Sequence, residues 1–327
     1  MSIALDAMGG DHGPREVVNG ALEAAPLLGK QVFLVGDEGV LRPLLPSPPP
    51  TTLEIVHASE AVGMDEKPLD SYRKKKDSSI MVGAHLVKSG RAKAFISAGN
   101  TGAVSATCLL VWRQVEKVHR PAIATPIPNM HGDFLLLDAG ASPDVDPEHL
   151  VEFAIMGRAF REKVMGHSNP RVHLLNIGEE EGKGNAFAKQ TFKLLAKHPW
   201  FCGNIEPKDM FFKPCDVVVC DAFVGNIVLK NCEGLAEMII AMIRQEVPSN
   251  PILRLPYAPL RKIMAPLRKR MDYAEIGGSP LLGLNGLCTI CHGRSNAKAI
   301  KNALLVTQRA IDNDLVGTIR GSAMLEL

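Results

Sequence analysis

Residues 94–103 read Ala94-Phe95-Ile96-Ser97-Ala98-Gly99-Asn100-Thr101-Gly102-Ala103. Residues 94–97 suit a short strand, small residues then turn the chain, and an apolar run of helix length follows to Trp112. Strand, glycine turn and helix in that order are the repeating unit of an α/β fold. The turn also has a chemistry. A helix N-terminus presents unpaired backbone N–H groups and the positive end of the helix dipole, which together favour an anion. Asn100 and Thr101 can add side-chain hydrogen bonds, while Gly99 and Gly102 admit close backbone approach.

The same alternation runs outward in both directions. Toward the N-terminus, strands are expected at Ile3–Ala7, Val32–Gly36 and Leu53–His57, and helices at Arg15–Ala25 and Ser78–Lys88. Pro14 suits the opening of the first helix, and Asp77 is the expected N-cap of the second. Toward the C-terminus, strands are expected at Ala122–Thr125, Phe134–Asp138, Val172–Asn176 and Pro214–Cys220. Helices are expected at Gly102–Trp112, Pro147–Lys163, Ala186–Lys197, about Ile227–Val247 and Asn296–Asp312. Such alternation implies a largely parallel sheet flanked by helices, in which ligands sit at the carboxyl ends of strands.

Composition narrows the class. A chain of 327 residues, 46% hydrophobic and 22% charged, can bury a large core, and its formal charge of +2 points to no particular partner. Aromatic residues are 5% and no aromatic-interleaved basic stripe occurs, which argues against nucleic acid. The N-terminal Met1-Ser-Ile-Ala-Leu-Asp lacks a basic n-region, and no uninterrupted apolar run approaches about 18 residues. Seven scattered cysteines are not a disulfide framework, so a reducing cytosol is the expected compartment. Cys288-Thr-Ile-Cys291-His292 fits a haem-attachment or half-zinc pattern, yet no second Cys-x-x-Cys pair accompanies it. Cys215 and Cys220 would fall on opposite faces of one strand. The expectation is therefore no metal and no cofactor, with Cys288 and Cys291 as small buried strand residues.

The loops at the strand ends carry the polar chemistry. After the first strand come Asp6, Gly10, Asp11 and His12, without the spacing of a dinucleotide fingerprint. After the later strands come Asp138, then Gly178-Glu-Glu-Glu-Gly-Lys183-Gly-Asn185, then Asp221 and Asn226, and finally His292, Gly293 and Asn296. The Lys183 loop only superficially resembles a Walker A loop, because the glycine spacing is short and no Ser or Thr follows the lysine. The basic run Arg73-Lys-Lys-Lys76-Asp-Ser78-Ser precedes a helix and is a second candidate anion site. One such loop reads as an ordinary turn. Six at different strand ends suggest one composite site.

Taken together, the segments ALDAMGGDHGP, RKKKDSS, ISAGNTGA, LLDAGA, NIGEEEGKGN, CDAFVGNIVLK and GLNGLCTICHGRSNAKAIKNA resemble the bacterial PlsX family of phosphate acyltransferases over nearly the whole chain. The resemblance implies a single Rossmann-like three-layer α/β/α sandwich over residues 1–327. It would be similar to isocitrate and isopropylmalate dehydrogenases, with a helical hairpin over 244–275. It implies transfer of a long-chain acyl group from acyl carrier protein to inorganic phosphate, and a downstream membrane acyltransferase that acylates glycerol 3-phosphate. A homodimer and peripheral attachment to the inner membrane face are implied as well. Phosphate would be held at the helix N-termini after Gly99–Gly102 and Asp77–Ser79, with Lys76 and Ser78 among the binding residues. Lys183 or His292 would donate to the oxyanion or leaving thiolate, and Asp6, Asp11 or Asp221 would orient His12 or His292 or take a proton. Residues 244–272 hold seven Arg or Lys, among them Arg261, Lys262, Arg268 and Lys269, against Glu246 and Asp272, a net of +5. That suits an acidic carrier protein or an anionic membrane surface, the bland reading being a dimer-packing face. The rival readings are a phosphotransacetylase-like enzyme using acyl-CoA and a membrane-surface adaptor with a vestigial pocket.

Overall fold

The computed structural model describes residues 2–246 and 273–327. Its strands divide between two mixed sheets. The first contains β1 (Ser2–Asp6), β2 (Gln31–Gly36), β3 (Leu53–His57), β4 (Ala94–Ser97), β5 (Ala122–Ile123), β11 (Ser279–Leu282) and β12 (Leu287–Ile290), in the order β3-β2-β1-β4-β12-β11-β5. Five of these are parallel, with Ile3 beside Val32 and Ala94 in register, while β11 runs antiparallel to both β12 and β5. The second contains β6 (Thr125–Asn129), β7 (Gly132–Leu137), β8 (Val172–Leu175), β9 (Phe201–Ile205) and β10 (Val217–Val219), in the order β6-β7-β10-β8-β9. Here only β6 is antiparallel to its neighbour. The α/β architecture is as the sequence implied, with the strands shared between two sheets.

Helices cover both faces. In the first sheet, Ile3 and Leu5 point into the largest cluster, toward α1 (Arg15–Leu28) and α10 (Ala297–Asp312). Ala4 points the other way, toward α4 (Ser79–Lys88) and α5 (Thr101–Trp112). In the second sheet, Leu135 and Leu137 face α6 (Pro147–Lys163), against which α7 (Ala186–Leu195) and α11 (Leu315–Glu326) pack, while Phe134 and Leu136 face a third cluster. Strands buried on both faces read as continuous apolar runs, which is why β1, β2 and β4 were legible.

Several boundaries differ from expectation. Helix α1 continues through Pro26, without that residue's N–H bond, to Leu28, and Gly29 closes it at φ 57°. Ser78, not Asp77, caps α4, its Oγ accepting the Met81 N–H at 3.3 Å. Asp77 instead accepts from Ser59 N–H (2.9 Å) and Oγ (2.6 Å). The long helix α8 (Ala222–Glu246) starts five residues early, since Asp221 Oδ1 accepts the Val224 N–H at 2.9 Å and so caps it. Cys215 and Cys220 share the third cluster, as the strand spans only Val217–Val219. The short helix α3 (Pro68–Lys74), β6, β9, β11 and α11 were not expected.

The two sheets join at a buried carboxylate. Asp138, fully buried after β7, accepts backbone N–H groups from Ile123 (2.9 Å), Gly140 (3.0 Å), Ala141 (3.0 Å) and Ser142 (2.7 Å). This ties β5 of the first sheet to the end of β7 in the second. Burial pushes its pKa up despite these bonds. The first turn of α8 closes on the same point. A Cβ on Gly225 would lie 1.9 Å from the Asp138 carbonyl oxygen.

Gly225→Ala is therefore expected to push α8 off the junction and lower stability by about 1–3 kcal/mol or more. Gly234→Ala, on the same helix with nothing within 4 Å of its Cβ, should leave stability unchanged or raise it by roughly 0.5–1 kcal/mol. Thermal unfolding of the two variants checks the contrast.

Candidate active site

The strand order of the first sheet reverses direction between β1 and β4, a topological switch point where a crevice opens. Three strand-end loops meet there. The Asp6 carboxylate accepts from Ser97 Oγ (2.6 Å) and from the Met8 and Gly9 amides (3.1 and 3.2 Å), and Ser79 adds a side-chain bond. Burial raises its pKa against these bonds. Asp6 is thus a clasp between β1 and β4. A Cβ on Gly9 would stand 2.6 Å from the Gly99 nitrogen, so these two turns touch backbone to backbone. The Asp11 N–H donates to the Gly293 carbonyl (2.7 Å), which brings in the loop after β12. Gly10, at φ 94°, would meet the same carbonyl with a Cβ at 3.0 Å.

Asn100, which the sequence offered as a ligand for an anion, is engaged by the protein's own backbone. Its Oδ1 accepts the Ala103 N–H (3.0 Å), capping α5, and its Nδ2 donates to the carbonyls of Met64 (2.7 Å) and Glu66 (3.0 Å). The side chain holds a strap over the turn. Thr101 and Gly102, the first residues of α5, remain to face the ligand side, where they line a cleft of about 740 Å³.

That cleft lies between the sheets. Its junction end is formed by Thr101, Gly102, Ile123 and Gly140, with His292 and Ser279 beside them. The walls are β6 and one face of α8, where Asn226, Leu229, Lys230, Glu233 and Ala236 recur at helical spacing. Most of the lining is apolar. Lys230 and Glu233 were not singled out from sequence, although the i, i+3, i+4, i+7 spacing from Asn226 was there to read. The half-buried His292 accepts the Arg294 N–H at Nδ1 (3.1 Å), so its neutral ring carries the proton on Nε2. Burial lowers its pKa, with Glu233 opposing.

The other expected residues lie apart. Asn185 and Asp221 line a separate polar pocket of about 460 Å³ with Arg120, Asp144 and Asp146. Asn185 also caps α7, and Asn296 caps α10. Lys183 is half exposed on the loop after β8, 3.8 Å from Glu180. Lys76 Nζ donates to the Tyr72 carbonyl (2.8 Å) and sits over its ring. Ser78 is spent on capping α4 and His12 is exposed. Arg261, Lys262, Arg268 and Lys269 lie outside the described residues.

Among the described residues, one group has the spacing to hold a metal: His119, His149 and Glu152. Its members already have structural partners. Glu152 binds His119 Nδ1 (2.6 Å) and N–H (2.8 Å), pinning that loop to α6, and His149 Nδ1 accepts the Asp146 N–H (2.8 Å). Cys288 and Cys291 are buried, and burial pushes the Cys291 thiol up to about 12, so it stays protonated. Their strand places His292 beside the cleft.

The fold is that of the phosphotransacylases. The chain is similar in structure to a Streptococcus pyogenes phosphotransacetylase (TM-score 0.64, 17% identity, 95% of this chain and 94% of that one). It is also similar to a branched-chain phosphotransacylase from Enterococcus faecalis (TM-score 0.56, 12% identity, 95% and 99%). At these identities the likeness is one of fold. The family model described as fatty acid synthesis protein matches residues 1–317. Phosphate acyltransferases of Heliobacterium modesticaldum and Moorella thermoacetica are 48% and 47% identical, over 98% and 97% of this chain and 97% and 94% of theirs. The chain belongs to this PlsX family of phosphate acyltransferases and is an acyltransferase.

His292 is expected to set a pH dependence if it serves as the donor proposed below. Protonation would place an Nδ1–H against the Arg294 N–H and break that turn. The neutral form is the one that role requires, and burial, by lowering the pKa from the ordinary 6.5, favours it. Turnover is therefore expected to fall on the acid side with an apparent pKa below 6.5. Phosphate titrates nearby, so the limb belonging to His292 is the one that disappears in His292→Gln.

Proposed function

We propose that the protein transfers the acyl group of a long-chain acyl-acyl carrier protein to inorganic phosphate, giving an acyl phosphate for phospholipid synthesis. One observation carries this reading: an anion-favouring helix N-terminus and an apolar cleft share a wall at Thr101 and Gly102. A phosphate there lies beside the junction end, and an acyl group fits the apolar lining.

The chemistry asks little of covalent catalysis. A phosphate oxygen attacks the thioester carbon, a C–O bond forms, the C–S bond breaks, and the thiolate leaves and takes a proton from solvent. Phosphate is the nucleophile, so buried thiols are no obstacle. The catalytic demand is to hold the anion close and to stabilise the tetrahedral oxyanion. Nε2–H of His292 is the donor proposed for that oxyanion, and it keeps its proton throughout. Lys183, half exposed on the loop after β8 and outside the cleft lining, is proposed as the cation that meets the phosphate or the leaving thiolate once its loop closes over the bound substrate. Asp6 orders the loops rather than moving a proton.

Partners follow from surfaces. The opposite side of α8 from the cleft exposes Ile227, Leu235, Met238 and Met242, each about half exposed or more. A second copy of the chain is the proposed cover, and Leu235→Glu with Met238→Glu should turn a dimer into a monomer by light scattering. The basic residues of 244–272 are the proposed contact for an acidic carrier protein and for the inner membrane face. Among the described residues no helix is long and apolar enough to cross a membrane. A glycerol 3-phosphate acyltransferase would consume the product.

The reaction is tested by trapping. Purified protein with palmitoyl-acyl carrier protein should form hydroxylamine-trappable acyl phosphate only when phosphate is present. His292→Ala and Lys183→Ala should each slow it by about a hundredfold or more. Reversing Arg261, Lys262 and Lys269 to Glu should raise KM for the carrier and leave Tm unchanged. Trapping from palmitoyl-CoA alone would replace the carrier protein as donor, and trapping from neither would overturn the reading.

A further inference from the structure

We propose that Met130 and Phe212, where the β6 wall ends, form the ruler that sets which acyl-chain lengths the cleft accepts. The inference rests on the reading that the apolar cleft takes the acyl chain. Strand β6 begins beside the junction, where Thr125 Oγ lies 3.0 Å from Ser279 Oγ. It leads away through Pro126, Ile127 and Pro128, all lining the cleft, to Asn129. At about 3.3 Å per residue this wall is roughly 13–16 Å long. One leaflet of a bilayer's hydrocarbon core is about 15 Å thick, half of roughly 30 Å. The wall is therefore matched to an acyl chain of the length that membrane lipids carry. Its volume of about 740 Å³ lies within the range of pockets that enclose most of a ligand.

The end of the wall is a built feature. The Met130 N–H donates to the Phe211 carbonyl (2.9 Å), and His131 Nε2 is 2.8 Å from the Phe212 carbonyl. The Asn129 side chain braces the turn, Oδ1 accepting the His131 N–H (2.9 Å). Two loops are thus clasped, once backbone to backbone and once through the His131 side chain, and the clasp leaves Met130 and Phe212 68% and 69% exposed, though both line the cleft. Their fixed backbones and uncovered apolar side chains suit contact with the last methylenes of a chain that reaches them. A chain too short to arrive gains nothing from them. Methionine's unbranched, flexible side chain lets the contact adapt to ends of slightly different length.

The test is the chain-length profile of the double variant Met130→Ala, Phe212→Ala. Both positions are exposed, so folding should hold, with Tm as the control. Palmitate and octanoate binding is measured by calorimetry, and turnover of palmitoyl- and octanoyl-acyl carrier protein by hydroxylamine trapping. Wild type should bind palmitate at least tenfold tighter than octanoate. The double variant should lose about tenfold for palmitate, the worth of burying about two methylenes, and nothing for octanoate. Equal losses for both chains, or an unchanged ratio, overturn the ruler. Binding of the expected profile with no trapped acyl phosphate keeps the ruler and overturns the reaction.

Discussion

The structure depends on one carboxylate. Asp138 accepts four backbone amides at the point where β5, β7 and the 139–142 loop meet. The Ile123 and Ser142 amides would otherwise be buried donors without an acceptor, a cost of about 1–3 kcal/mol apiece, while those of Gly140 and Ala141 lie nearer the surface. Asp138 thus fixes how the two sheets face one another, and with them the cleft, since Ile123, Ala139 and Gly140 around it are cleft lining. Burial raises its pKa, so the network of amides is what offsets the cost of keeping charge there. Asp138, which the sequence offered as a substrate-binding residue, is held here by backbone amides on both sides of the junction.

Asp6 repeats the principle on a smaller scale. It binds the end of β1 to Ser97 at the end of β4, and its loop then lies in backbone contact with Gly99. Glycines at positions 9, 10 and 99 are needed because backbones, not side chains, form the floor of the crevice. The consequence is chemical. The floor's own amides are spent on Asp6, Ser97 and Gly293, and what they hold in place is the start of α5, whose first turn carries the positive end of the helix dipole at the cleft. Two side chains that the sequence offered as phosphate ligands have structural partners here: Asn100 caps α5 and holds the Met64 and Glu66 carbonyls, and Ser78 caps α4.

The parts of this design that were legible in the sequence are those with a local cause. Strands buried on both faces announce themselves as apolar runs, and the strand, glycine turn, helix units put the polar loops at one edge. What stayed hidden has non-local causes. β6, with Pro126 and Pro128, reads as a loop because an edge strand pairs on one side only, here with β7, and tolerates proline. The start of α8 was misplaced because Gly225 looks like a helix breaker until the Asp138 carbonyl is seen against it. The division of the expected residues between an apolar cleft and a polar pocket depends on how two sheets face each other, and no spacing along the chain encodes that.

Helix α8 shows how one segment can serve two surfaces without compromise. With 3.6 residues per turn, Asn226, Leu229, Lys230, Glu233 and Ala236 share one face and line the cleft. Ile227, Leu235, Met238 and Met242 share the other and stand exposed. The two sets do not overlap, so each can change under its own demands. Their positions are nevertheless linked through the rigid helix and through its first turn, which is seated on Asp138. Anything that covers the outer face presses on a rod whose inner face includes Lys230 and Glu233, and the charges on these two act on His292. The helix is anchored at its start, by the Asp221 cap and by Gly225 against the Asp138 carbonyl, and along its length by Val228 and Leu229 in the apolar clusters, so its two faces are held in one fixed relation.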